Sequence, residues 1–100
     1  MIKVTQTQAR ILIYLSVVHN SRKDVTSISN KLDTDYSYIM RVLQGMVAKG
    51  WLVKHPFKRH MFYDLTATAP IEEAKKTYIA ADALQSSLKG YENESRDTQA

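Results

Sequence analysis

The sequence predicts a mainly α-helical domain carrying one small β-hairpin. Three observations lead there. Apolar residues recur every three or four positions in several separate stretches, the spacing that lines one face of a helix. Two short runs rich in aromatic and branched residues, at 51–54 and 61–65, flank a basic break, as strands flank a hairpin turn. Threonines, aspartates and glycines fall where these stretches begin and end, which is where helix caps and stops belong.

At 100 residues the chain has room for one small domain with a modest core. In order, Thr5 or Thr7 can cap a first helix whose apolar positions are Ile11, Leu12, Tyr14, Leu15 and Val18. The polar run 20–24 stops it. Val25 suits a short strand beside the hairpin. Thr26 is the expected N-cap of a short second helix with Ile28 and Leu32 inward. After the turn 33–35, Thr34 or Asp35 can cap a third helix, because their side-chain oxygens accept the free N–H groups of its first turn. Its buried stripe is Ile39, Val42, Leu43, Met46 and Val47. Gly50 suits a left-handed stop. Residues 51–54 and 61–65 are the strands, with Pro56 to Arg59 in the loop between them, since proline cannot donate to a ladder. Thr66 or Thr68 can cap a final helix, with Pro70 near its first turn, running to about Lys89 before Gly90.

A short helix, a tight turn, a longer helix and a hairpin in that order make a helix-turn-helix followed by a wing, an arrangement that places a helix in the major groove of DNA. The expected organisation is therefore a winged helix-turn-helix over 1–68, a C-terminal dimerisation helix over 69–90 and a disordered polar tail over 91–100.

Charge follows the same division. Residues 1–65 carry ten Lys/Arg against four Asp, a net of +6, whereas residues 66–100 carry four against six acids, a net of −2. A cationic first half points to a polyanionic partner for that half. Cysteine is absent, which excludes disulfides and thiolate metal sites. Apolar runs are too short for a membrane span and the N-terminus lacks a signal-peptide pattern. A soluble, cytoplasmic, DNA-associated protein is the expectation.

The stretch from Ser27 to Leu32, the run Ser37-Tyr-Ile-Met-Arg-Val-Leu43, and Leu43-x-x-Met-x-x-Lys-Gly-Trp-Leu-Val53 together resemble the winged-helix part of MarR-like and PadR-like regulators. Tyr63-Asp-Leu-Thr66 is similar to the end of their wing. The resemblance covers roughly residues 7–68, and its specificity lies in the order of the motifs. MarR proteins are longer, with helices from both ends building a dimerisation domain and often an effector pocket. The brevity of this chain implies that a small-molecule effector is not expected, and brings it closer to minimal winged-helix repressors of archaeal, plasmid or viral type.

The third helix is the candidate reader. Tyr36, Ser37 and Tyr38 open it, with Arg41 and Gln44 further along and outside its buried stripe. Arg41 can fork onto guanine O6 and N7 or bind a phosphate, which carries no sequence information. Tyr36 and Tyr38 suit either the groove or half-buried packing. In the wing, Lys54, His55, Lys58, Arg59 and His60 suit a phosphate strand or the minor groove. A solvated loop, basic by chance, is the plain alternative. Phe57 is either exposed there or folded beneath the loop. His55 and His60 lack the further ligands of a structural zinc site. No phosphate-cradling glycine loop or nucleophile motif supports catalysis, and no cofactor is expected. In the final helix Ile71, Ala74, Tyr78, Ala81, Leu84 and Leu88 form a stripe suited to pairing with a second copy.

The expected function is a sequence-specific double-stranded DNA-binding transcriptional regulator, a repressor acting as a homodimer. Two alternatives stand beside it. One is an architectural DNA binder with little sequence preference. The other is a winged-helix protein-interaction module whose interface would be Tyr36, Tyr38 and Phe57.

Overall fold

The computed structural model describes residues 2–79. The chain runs α1 (Gln6–Val17), a 3₁₀ turn (Asn20–Arg22), α2 (Val25–Leu32), α3 (Tyr36–Ala48), β1 (Leu52–Phe57) and β2 (His60–Leu65). A final helix, α4, occupies 71–79. The expected tail and the later stripe residues Ala81, Leu84 and Leu88 lie outside the described residues.

Helix starts follow side-chain chemistry. Thr5 caps α1 in a reciprocal box with Gln8, each side chain serving the other's backbone N–H. Asp24 caps α2 by accepting from Ser27 N–H, which moves the cap two residues before the expected Thr26. The expected short strand at Val25 is likewise one residue early. Asp24 makes an isolated antiparallel bridge to Phe62, while Val25 is already helical and buried. The neighbouring Lys23 carbonyl accepts from Tyr63 N–H at 3.0 Å, so the loop before α2 extends the sheet by a fragment.

The tight turn between α2 and α3 depends on Asp33, which takes the left-handed conformation (φ 51°) and ends α2. Thr34 N–H then reaches back to the Ser29 carbonyl at 3.0 Å, and Asp33 N–H to Asn30, satisfying carbonyls that a helix end leaves free. The same closure ends α3: Gly50 sits at φ 80°, its N–H reaches the Val47 carbonyl and Trp51 N–H reaches that of Met46.

One core unites these elements. Ile11, Leu12 and Leu15 of α1, Ile28 of α2, Ile39, Leu43 and Met46 of α3 and Tyr63 of β2 are fully buried. Val42 and Val47 lie partly buried at its edge. Tyr14 O–H donates to the Arg22 carbonyl at 2.7 Å, fixing the 3₁₀ turn to α1.

The hairpin is longer than expected. β1 and β2 pair antiparallel from Leu52↔Leu65 to Phe57↔His60, so the turn is only Lys58-Arg59. Pro56 belongs to β1, opposite Met61, and not to the loop. The outer edge of β1 is free of strand partners, and a missing N–H on that edge costs nothing. Thr66 and Thr68 do not cap α4. Both hydroxyls donate to the Gly50 carbonyl, tying the exit of the wing to the end of α3. Pro70 takes the position before α4, its carbonyl accepting from Ala74 N–H at 3.0 Å.

Candidate nucleic-acid interface

Asp35 initiates α3 by accepting from Tyr38 N–H at 3.1 Å. Burial of Ile39, Leu43 and Met46 fixes the helix's rotation. Ser37, Arg41 and Gln44 are consequently exposed on the opposite side, spaced as one outward line. Tyr36 and Tyr38 are 47% and 42% exposed. Tyr36 stands near enough to Tyr63 to help raise that phenol's pKa, an effect due first to burial. None of the ion pairs among the described residues involves Arg41.

The wing presents Lys54, His55, Lys58, Arg59 and His60, all exposed. Strand alternation divides them. Lys54 lies on the face shared with buried Leu52 and Tyr63, while His55, Phe57, His60 and Phe62 lie on the outer face. Lys58 holds φ 57°, a conformation that glycine or asparagine adopts at lower cost.

An ion pair that sequence reading missed anchors the wing. Lys23 Nζ lies 2.8 Å from Asp64 Oδ1, and Leu65 N–H donates to the same oxygen at 2.7 Å. Burial alone would raise the Asp64 pKa, but these bonds and the nearby Lys23 and His55 outweigh it, so the carboxyl titrates below its ordinary value. The partners are 41 residues apart, and no local pattern marks such a pair. Beside it, a cleft of about 510 Å³ separates the 3₁₀ turn from the outer face of the wing, between Asn20, Ser21, Phe57 and Phe62.

The stripe expected to pair with a second copy is only partly within the described residues. Ala74 is fully buried and Ile71 partly buried against the chain's own core, and Thr77 O–H reaches the Val4 carbonyl. Those positions pack the domain itself, which corrects the expectation that Ala74 is free to face a second copy. Tyr78 and its neighbour Ile79 remain 42% and 65% exposed.

No group of three or more His, Cys, Asp or Glu side chains is gathered to hold a metal among the described residues. No helix among them is long and apolar enough to cross a membrane.

No protein-family model matches the chain, and no curated protein does. Solved structures match in fold. ZitR of Lactococcus lactis in complex with DNA superposes with a TM-score of 0.67 at 20% identity, over 93% of this chain and 63% of that one. MepR, a transcription regulator of the Staphylococcus aureus multidrug efflux pump MepA, gives 0.66 at 18%, over 97% and 75%. AdcR in its Zn(II)-bound state, a zinc-dependent MarR family transcriptional regulator, gives 0.58 at 24%, over 98% and 70%. The chain thus spans 63% of the ZitR length. What these matches define is the fold, a winged helix-turn-helix.

Proposed function

We propose that this chain is a sequence-specific double-stranded DNA-binding regulator of transcription, a repressor that acts as a homodimer. The observation that carries the reading is the joint placement of α3 and the wing. One helix turns Ser37, Arg41 and Gln44 outward with their backs to a packed core, and a basic hairpin tip follows it. The likeness to ZitR in complex with DNA supports it. Rigid burial of one face lets the other enter a groove without reorganising. Arg41 then reads a base edge while Lys58 and Arg59 grip the flanking strand. A dimer covering a promoter would exclude polymerase by bulk.

Selection of bound duplexes from a random pool tests this directly. Enrichment of an inverted repeat supports both specificity and two-fold symmetry. Binding without enrichment would replace the reading with an architectural role. Absence of duplex binding at low salt would leave a protein-interaction module.

A further inference from the structure

Phe57 is the last residue of β1, directly before the Lys58-Arg59 turn, and it is 62% exposed. A large aromatic left mostly exposed on a basic tip buries little surface in the fold. The ring is nevertheless held in place. It stands edge-on to Phe62, with centroids 6.4 Å apart at 70°. Lys58 Nζ lies 5.6 Å from its centroid. His60, its cross-strand partner, also packs edge-on to Phe62. Lys58 itself keeps a left-handed backbone that glycine would adopt more cheaply. The tip therefore maintains a cation at a strained position beside a mostly exposed aromatic ring that packs edge-on to Phe62. That combination suits a partner with negative charge on its outside and flat apolar surfaces within.

We propose that Phe57 is a stacking wedge, which enters between adjacent base pairs when the wing occupies the minor groove and kinks the duplex there. The inference rests on the DNA-binding reading and adds deformation to it. The charge complementarity is local: Lys54, Lys58 and Arg59 neutralise the two strands that border the groove, while the ring meets the base stack. Pyrimidine–purine steps unstack most readily, so TA or CA/TG steps should be preferred under the wing, at positions no side chain reads by hydrogen bonds.

The test uses the full chain and a duplex of about 30 base pairs carrying the motif it selects, labelled at its ends with a fluorescent donor and acceptor. Wild type should shorten the end-to-end distance. Phe57→Leu, still an apolar wedge, should retain part of the bend. Phe57→Ala should abolish it and weaken binding on the order of tenfold, with an unchanged salt slope because no phosphate contact is lost. A bend of equal size in Phe57→Ala, with folding verified by circular dichroism, overturns the wedge and reassigns the ring to a protein surface. Tight binding by wild type to a straight duplex overturns the wedge alone. No binding of wild type to any duplex overturns the underlying reading as well.

Discussion

Arg41 and the pair Lys58-Arg59 carry like charges, yet on the proposed reading their removal should produce different defects. Arg41 projects from a helix whose rotation is fixed by buried neighbours, and on the proposed reading its guanidinium meets one base edge. Arg41→Ala should weaken cognate binding by about 1–3 kcal/mol and flatten preference at one position. Combined Lys58→Ala and Arg59→Ala should weaken cognate and random duplexes alike, since phosphates are the same in both. Titrating each variant against both duplexes separates the two roles, and equal losses for all would reject the assignment. Asp64 provides a test of the scaffold. Its folded pKa lies below the ordinary 3.8. Its contribution to stability is therefore present above that value and is lost as pH falls through the lowered folded pKa. Asp64→Asn should flatten the acid limb of a stability-versus-pH profile measured by urea unfolding. An unchanged limb would show that the Lys23–Asp64 pair does not couple to folding. Arg41 was legible from sequence because helical period assigns it a face, whereas Lys23–Asp64 depends on where a hairpin returns.

Element by element, legibility followed how local the determining interactions are. The third helix was readable nearly to its ends, because Asp35, the apolar period and Gly50 are all within its own sequence. The hairpin tip differs from what its sequence suggests. Pro56 reads as a strand breaker, but a two-stranded ribbon has an unpaired edge to receive it, and the turn accepts Lys58 at positive φ where glycine is the usual signal. Thr66 and Thr68 look like caps in isolation; a carbonyl 16 and 18 residues away claims them instead. These causes yield two opposed expectations for α3. Asp35→Ala removes the acceptor for Tyr38 N–H and should lower stability by about 1 kcal/mol. Gly45 lies mid-helix, exposed, with nothing within 4 Å of where a Cβ would stand. Gly45→Ala should therefore raise stability by about 0.5–1 kcal/mol through backbone entropy alone. Thermal unfolding of both variants decides the matter, and loss of stability in Gly45→Ala would mean that α3 is not packed as described.

For the whole molecule, the proposed function requires one small domain to grip enough DNA to be specific. A single recognition helix and wing neutralise few phosphates, so two domains acting together are required for a log–log salt slope of about −5 to −9, the value for on the order of 6–10 released counterions. The proposed source of the second domain is α4 and the chain that continues it. Ile71 and Ala74 are spent on the chain's own core, and half-exposed Tyr78, one turn on, lines a groove against α1 with Arg10, Ile13 and Tyr14, while Ile79 is exposed. In sequence the stripe continues through Ala81, Leu84 and Leu88. Pairing through this segment would be isologous, relating the two α3 helices by a two-fold axis. Their half-sites would then lie ~34–36 Å apart on an inverted repeat. Tyr78→Asp together with Leu84→Asp would place unpaired carboxylates in the seam, costing several kcal/mol where water is excluded. The double variant should sediment as a monomer, and its affinity for the full site should fall towards that for a half-site, because linkage no longer raises the effective concentration of the second domain. Sedimentation of wild type as a monomer at tens of micromolar, or of the double variant as a dimer, would remove α4 from the interface. The salt slope supplies the independent measurement: a true monomer should lose about half of it, since half the phosphate contacts leave with the partner.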